Sequence, residues 1–359
     1  MLTSNSTHSY FWQKKTIISF IAIIFVIIIH NSATNQYTNL PADQLTNFTF
    51  TIRNLFAYNI GAAAVPIFFF LSGIAFFRDY TNRKYSSKLR SRTKTLIIPY
   101  LIWNILGLLF AILYTYTPLS QYISGHEPFT PTIQNVLSGI FLYKYNFHFW
   151  FLFDLIIFTL LAPVFNLLIK RKWFILPVII FLLIIPTITD TFLHIRLNFI
   201  IFYYLGAFIG KHYFNHLKAP ATHLVSISAA ILSIIIITLN FLLAHFSLSI
   251  PTIVSEILLV TLTLSLWFAS DLFIPHLKFH RFYTTFFPIY AIHPYLLATI
   301  VKLFLIVLPH TSLMLLINEI FSPIFTIIIS IPLIFLWQRF LPKTYALLFG
   351  ERKSLKTNF

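Results

Sequence analysis

Apolar segments long enough to cross a lipid bilayer recur along almost the whole of this chain. The first of them, TIISFIAIIFVIIIH at residues 16–30, contains no Lys, Arg, Asp or Glu and ends on a histidine. A transmembrane helix needs about 20 mostly apolar residues. Only 9% of the 359 residues are charged and 58% are hydrophobic, whereas about a quarter of the residues in soluble domains are charged. The chain is therefore predicted to be an integral membrane protein.

Helices are the transmembrane elements that fit such continuous apolar segments, because the strands of a membrane barrel alternate between apolar and polar residues. We predict an all-α, polytopic bundle of about ten transmembrane helices that forms a single domain over residues 1–359. No internal repeat and no linker divides the sequence. The predicted helices are 16–34, 56–77, 95–116, 148–169, 173–189, 197–211, 223–245, 251–270, 285–308 and 314–338.

The basic residues are concentrated on one side of the predicted bundle. With the N-terminus in the cytoplasm, all but four of the 25 lysines and arginines fall on the inner side, as the positive-inside rule requires. The four exceptions are Arg53, Lys144, Arg196 and Lys302. This distribution predicts that both termini are cytoplasmic. It also explains the net charge of +16 without a nucleic-acid partner.

Three segments between the predicted helices are long. Two of them, 35–55 and 117–147, lie on the outer side, and loops of this length usually have a function. The third, RDYTNRKYSSKLRSRTK at 78–94, is a basic inner loop. It could hold anionic lipid headgroups or bind the phosphates of a soluble cofactor. The chain contains no cysteine, which excludes disulfides, a thiol nucleophile and a cysteine-ligated metal.

The histidine at the end of the first helix, His30, has two explanations. It could mark the point at which the helix reaches water. It could instead be a reactive group inside the membrane, where ionisable residues are costly and often functional. A helix that enters at residue 16 rises about 21 Å before it reaches His30, at 1.5 Å per residue. His30 is therefore predicted in the outer third of the bilayer core.

Polar residues also interrupt two other apolar segments. Ser72 and Gly73 stand among phenylalanines, where small residues could allow close helix packing or leave a gap for a ligand. His148 begins a predicted helix, and Asp154 follows about 9 Å further along it. A carboxylate at that depth needs a partner or a cavity that contains water.

A fourth segment carries Tyr290 and His293, which share a helix face because they are three residues apart. Pro294 leaves a carbonyl one turn earlier without its helical donor and kinks the helix. If the helix begins near Phe286, His293 lies in the inner third of the core, about 10 Å from His30 along the membrane normal. His293 could then line a channel instead of sharing a reaction centre with His30. Three further carboxylates near helix ends are predicted to be capping or snorkelling groups: Glu256, Asp271 and Glu319.

Together, and in this order, these segments resemble the acyltransferase-3 family of multi-helix membrane acyltransferases, and within it the surface-polysaccharide O-acetyltransferases. The resemblance covers nearly the whole chain. The segments that carry it are SFIAIIFVIIIHNS, PIFFFLSG, the basic loop that runs into LIIPYLIWN, HFWFLFDLIIFTLLAPVF and IYAIHP.

The resemblance implies an enzyme of the plasma membrane that moves a short acyl group, usually acetyl, from cytoplasmic acyl-CoA to a hydroxyl of a cell-surface or lipid-linked saccharide. It implies no metal and no permanently bound cofactor. His30 matches the family's catalytic histidine, with Tyr290 and His293 as further candidates. It could act as a general base or could attack the thioester itself. The residues implied in binding donor or substrate are Ser72, Arg90, Arg92, Lys94, His148 and Asp154.

The chain departs from the family pattern at two places. Ser19 occupies the position, eleven residues before His30, where the family commonly has an arginine. The basic residues before Pro99 are also spaced differently. Both differences concern the donor, so transfer of another acyl group such as succinyl is a second hypothesis. Two further hypotheses are a transporter or flippase of a lipid-linked saccharide, which would leave acyl-CoA intact, and an inactive homologue that binds a partner.

Overall fold

The computed structural model describes residues 4–37, 40–118 and 128–350, with side chains from Tyr10 onward. Most of this length is helical, and the strands in it form one short antiparallel hairpin. The helices are α1 (Ser4–His30), α2 (Ala33–Gln36), α3 (Gln44–Arg53), α4 (Ala64–Phe77), α5 (Tyr85–Arg92), α6 (Ile98–Tyr116), α7 (Ile133–Phe141), α8 (Trp150–Leu160), α9 (Ala162–Ile169), α10 (Ile175–Ile188), α11 (Ile200–His212), α12 (His223–His245), α13 (Thr252–Ala269), α14 (Phe286–Val307), α15 (Ser312–Phe340) and α16 (Pro342–Phe349). The strands are β1 (Thr191–Phe192) and β2 (Ile195–Arg196).

Seven helical segments among the described residues are long and apolar enough to cross a membrane, and the bent pair α8–α9 would be an eighth. The seven are Tyr10–Gln36, Gln44–Phe77, Asn82–Tyr116, His223–His245, Thr252–His276, Arg281–Val307 and Ser312–Phe340. An all-α, multi-pass membrane protein is thereby confirmed. The other two predicted spans, 173–189 and 197–211, correspond to α10 and α11, which have 14 and 13 residues.

The predicted outer loop at 35–55 is partly helical, because α3 begins inside it. Asp43 caps α3: it accepts hydrogen bonds from the Ser312 hydroxyl and from the Thr46 amide, both at 2.7 Å. These bonds hold the pKa of the Asp43 carboxyl below its usual value, and the bond from Ser312 has the largest effect. From α3 the helix continues through a π-helical segment, Asn54–Ile60, and one 3-10 turn into α4.

The basic segment at 78–94, predicted as a loop, is also mostly helical. The Thr81 hydroxyl caps a 3-10 turn by accepting the Lys84 amide, and α5 and a π-helical segment follow without a break into α6. Its charged and hydroxyl residues resemble a loop in composition, but such residues form a helix readily once its first amides are capped. Of the predicted outer loop at 117–147, residues 119–127 lie outside the described part, and the remainder contains α7.

The predicted helix at 148–169 is broken into α8 and α9, which meet at an angle of 62°. The break lies at Leu161, and Pro163 follows it at the start of α9. Proline has no amide N–H to donate to the carbonyl four residues earlier, and its ring clashes with that carbonyl. A helix therefore bends or stops at this position.

The chain divides into two compact units. Unit 1 contains Met1–Asp79, Arg171–Asp190 and Asn198–Phe335. Unit 2 contains Tyr80–Lys170, Thr191–Leu197 and Leu336–Phe359. The single domain over the whole chain stays a prediction.

Unit 2 is organised around Trp103 of α6. The Trp103 indole donates to the carbonyl of Leu348 in α16 at 3.0 Å, and its ring lies against those of Phe149 and Phe349. The Trp103 carbonyl accepts the side-chain amide of Asn146. Gly107, one turn further along α6, allows the approach of Asn146, because a Cβ there would overlap the Asn146 side chain.

Two helices of unit 1, α4 and α11, touch backbone to backbone. A Cβ added to Gly73 would overlap the carbonyl oxygen of Tyr203, and one added to Gly206 would overlap that of Phe70. Gly210 meets the backbone of Ile74 in the same way. Small residues bring membrane helices together because they let the backbones approach. Of the two explanations for the small residues at 72–73, close packing holds for Gly73.

Gly206→Ala is expected to destabilise the protein by about 1–3 kcal/mol, the usual cost of forcing extra volume into a packed site. The matched control is Gly139→Ala, because the nearest atoms to a Cβ at Gly139 belong to side chains, at 3.1 Å. The thermal unfolding midpoint of each variant in detergent measures the difference. Equal midpoints for Gly206→Ala and the wild type would contradict this packing.

Candidate active site

Two helices of unit 1, α1 and α14, run side by side in the same direction. Near the start of this contact, the ring of Phe20 packs against those of Phe282 and Tyr283 at centroid distances of 5.2 and 5.5 Å. Ten residues later, His30 at the end of α1 meets His293 of α14. Ten residues of helix rise about 15 Å, so α1 and α14 advance by the same distance between these two contacts.

The two histidines form a hydrogen-bonded pair. The Nε2 of His293 lies 3.2 Å from the Nδ1 of His30, and the ring centroids are 5.2 Å apart. His293 has no exposed surface, whereas His30 is half-buried. His30 is therefore the member of the pair with exposed surface, and His293 is enclosed behind it.

The predicted separation of about 10 Å between His30 and His293 is wrong. That prediction places the inner ends of the two helices at one depth. In the structure the contacts of Phe20 place residue 20 of α1 beside residues 282 and 283, just before α14 begins. The two helices are thus shifted relative to each other, and the shift brings the histidines together.

Hydrogen bonds determine which ring nitrogen of each neutral histidine carries the proton. The Nδ1 of His293 lies 2.7 Å from the backbone carbonyl of Tyr290, and a carbonyl oxygen can only accept. The Nδ1 of His293 therefore carries the proton and its Nε2 accepts. The proton between the rings then belongs to the Nδ1 of His30, which leaves the Nε2 of His30 as its unprotonated nitrogen.

Tyr290 lies beside this pair through its ring as well as its carbonyl. The ring stacks on Phe287 with a centroid distance of 6.0 Å and lies 6.1 Å from the His293 ring. Ser72 is half-buried on α4, next to the glycine that packs against α11. The structure thus brings together His30, Tyr290 and His293, the three residues predicted to be catalytic.

A buried ion pair of unit 1 is linked to the end of α1. Arg53 donates to Glu319 at 2.9 Å, and the side chains are 8% and 3% exposed. Asn31, which follows His30, donates through its side-chain amide to the backbone carbonyl of Glu319 at 3.0 Å. The sequence predicts that Glu319 is a capping or snorkelling group, whereas in the structure it is a buried partner of Arg53.

A second buried ion pair holds α1 on the N-terminal side of its apolar segment. Lys14 donates to Asp271 at 2.7 Å and lies 3.9 Å from the centre of the Trp267 ring. Asp271 also accepts the Tyr10 hydroxyl and the Ala221 amide. The prediction that Asp271 is a helix-end group misses this pairing. For both pairs, the signal in the sequence is an opposite charge about 260 residues away, also in an otherwise apolar region.

The other residues implied in binding, apart from Ser72, belong to unit 2. Arg90 and Lys94 are exposed and Arg92 is partly exposed, on α5 and on the π-helical segment after it. Arg90 and Lys94 are four residues apart and share one side of this helical stretch, where an anion could contact both, whereas Arg92 points to the other side. The binding of donor phosphates by these three residues stays a prediction.

His148 and Asp154 are buried in unit 2, 3% and 0% exposed. Asp154 accepts the backbone N–H of Arg196 at 3.3 Å. The Arg196 guanidinium itself stacks 3.7 Å from the centre of the Trp150 ring. The partner that a carboxylate at this depth requires is thus a backbone amide of the β-hairpin.

Comparison with known proteins identifies the family of the chain. A family model described as an acyltransferase domain matches residues 18–337. No curated protein and no solved structure matches the chain. The multi-pass helical fold and this match define a membrane acyltransferase. The chain belongs to the acyltransferase-3 family, and the resemblance found in the sequence is confirmed over nearly its whole length.

Arg53→Met is expected to destabilise the protein by about 3–5 kcal/mol, because it leaves the Glu319 carboxylate buried without its cation. Replacing both residues, as in Arg53→Met with Glu319→Leu, should recover most of that loss. Unfolding midpoints of the two single variants and the double variant in detergent provide the comparison. Independent, additive losses would show that the two side chains do not interact.

Proposed function

We propose that this enzyme transfers an acetyl group from cytoplasmic acetyl-CoA to a hydroxyl of a cell-surface or lipid-linked saccharide. The observation that carries the proposal is the His30–His293 pair, which leaves an unprotonated nitrogen on the half-buried ring of a membrane acyltransferase. Acyl transfer to a hydroxyl needs a group that accepts the hydroxyl proton near neutral pH, and histidine is suited to this.

In the proposed reaction, the Nε2 of His30 removes the proton from the acceptor hydroxyl. The oxygen attacks the thioester carbonyl carbon, a C–O bond forms and the C–S bond breaks. The thiolate of coenzyme A leaves and receives the proton from the Nε2 of His30. During the attack His30 is an imidazolium, and its Nδ1–H donates to the Nε2 of the buried His293. His293 therefore orients the base and shares its charge.

The oxygen of the thioester gains negative charge as the acceptor attacks, and it needs hydrogen-bond donors. The Tyr290 hydroxyl and Ser72 are the residues proposed for this role. The phosphates of coenzyme A are proposed to bind Arg90, Arg92 and Lys94, whose guanidinium and ammonium groups suit phosphate oxygens. His148 and Asp154 are proposed to bind substrate.

The charge of the acyl group is the property that distinguishes the two candidate donors. Ser19 stands where an arginine would supply a cation, and its side chain is buried, 1% exposed. Acetyl is proposed as the acyl group, since it adds no charge to the donor. A succinyl donor would bring an additional carboxylate into the site. Comparing acetyl-CoA with succinyl-CoA in the same assay separates the two.

We further propose that the protein lies in the plasma membrane with both termini in the cytoplasm and with ten spans, α10 and α11 included. The placement of the basic residues supports this topology. It would put His30 toward the outer face, where a cell-surface acceptor arrives, and the membrane lipids would surround the exposed apolar side chains.

His30→Ala is expected to lower the rate of acyl transfer by about 10²–10⁴-fold, the contribution typical of a positioned general base. The matched control is His245→Ala, since His245 is exposed at the end of α12. The rate is measured as free thiol released from acetyl-CoA by purified protein with a cell-envelope glycan extract. Equal release by His30→Ala and the wild type would remove His30 from the mechanism.

The same assay distinguishes the competing functions. If the wild type neither releases thiol nor binds acetyl-CoA, the transporter hypothesis replaces the enzyme. If it binds acetyl-CoA but never releases thiol, an inactive homologue is the better description. An acyl group found on His30 by mass spectrometry, after incubation with donor alone, would make His30 a nucleophile instead of a base.

A further inference from the structure

Pro294 stands in the interior of α14, directly after the buried His293. In a regular helix the amide of residue 294 donates to the carbonyl of residue 290, four positions earlier, and proline has no N–H with which to do so. The carbonyl that loses its helical donor is therefore that of Tyr290. The same carbonyl accepts the Nδ1–H of His293 at 2.7 Å.

The bond at the Tyr290 carbonyl links the missing amide N–H of Pro294 to the protonation of two side chains. The Tyr290 carbonyl fixes the proton of His293 on Nδ1, so the Nε2 of His293 accepts from the Nδ1 of His30. Each step depends on the one before it. If the proton of His293 moved to Nε2, that nitrogen would donate to the Nδ1 of His30, and the proton of a neutral His30 would move to Nε2.

We propose that Pro294 is a positioning residue that sets the tautomers of the His293–His30 pair by releasing the Tyr290 carbonyl from the helix. It acts through His293, and its benefit to the reaction rests on the proposed role of His30 as the base. The role of the proline in the tautomers themselves is independent of any substrate.

A residue with an amide N–H at position 294 would be a second donor to this carbonyl, which has two lone pairs but would then have to orient toward the helical amide as well as toward the His293 ring. The Tyr290 carbonyl would turn back toward the helix axis to accept the amide, as in an unkinked helix. Its bond to the His293 ring would weaken, and the tautomer with the proton on Nε2 would gain population. Part of the His30 population would then carry its proton on Nε2 and could not accept one from a hydroxyl.

Pro294→Ala makes this change, and α14 provides a matched control. Pro288 lies in the first turn of the same helix and is buried like its neighbours. An amide at residue 288 would face the carbonyl of residue 284, in the 3-10 turn Arg281–Thr285 that leads into α14, so Pro288→Ala adds an N–H without adding a donor to the Tyr290 carbonyl. Both variants exchange a proline for an alanine in α14, and alanine favours the helix, so folding should persist.

The test is nitrogen NMR of protein labelled with ¹⁵N-histidine, purified in detergent without substrate, because protonated and unprotonated ring nitrogens have distinct signals. His30→Ala and His293→Ala assign the two residues by loss of their signals. We expect protonated Nδ1 on both rings in the wild type and in Pro288→Ala. We expect a mixture of tautomers on both rings in Pro294→Ala.

The same variants are then compared in acyl transfer from acetyl-CoA. Pro294→Ala should be slower by about 10-fold, a part of the 10²–10⁴-fold that a positioned base contributes, while Pro288→Ala should match the wild type. Tautomers that are unchanged in Pro294→Ala would overturn the proposal even if the rate fell, as would an unprotonated Nδ1 on His293 in the wild type. A wild type with the expected tautomers but no transfer would instead refute the proposed function.

Discussion

A polar group inside a bilayer is costly unless another group in the protein pairs with it, and this constraint shapes unit 1. The apolar segment of its first helix, α1, is held on its N-terminal side by the Lys14–Asp271 ion pair and at its C-terminal end by the His30–His293 hydrogen bond. Asn31 adds a bond to the Glu319 carbonyl just beyond the histidine. Polar contacts on both sides of this apolar segment thus fix the position of α1 along its neighbours.

The contact between the two histidines follows from that fixed position. The shift of α1 relative to α14 decides whether His30 reaches His293, and one turn of slippage, about 5.4 Å, would separate the rings. Within α14 the sequence Tyr290 to Pro294 supplies both the second histidine and the carbonyl that orients it. The rings of His30 and His293 and the Tyr290 carbonyl oxygen thereby form a site that can bind a proton. The more exposed ring, His30, lies at the end of α1.

The sequence predicts the coarse fold well, because continuous apolar segments leave membrane helices as the element that fits them. His30 and His293 are both recognisable as ionisable groups in apolar surroundings. Their contact is not recognisable from the sequence, because the depth of a residue counted from the end of its own helix does not show how far two helices are shifted along each other. Polar residues at the start of α3 and at the 3-10 turn before α5 resemble loops, and only the bonds that Asp43 and Thr81 accept identify these as helix starts. The Arg53–Glu319 pair joins residues 266 apart, which no local pattern reveals.

The central claim is that His30 and His293 act as one unit, and a double-mutant cycle on acyl transfer tests it most directly. Rates are measured for the wild type, His30→Ala, His293→Ala and the protein that carries both changes. Residues that act together lose most of their effect with the first removal. The account predicts that the double variant is no slower than His30→Ala alone. Losses that multiply in the double variant would show that the two histidines act independently, and would contradict it.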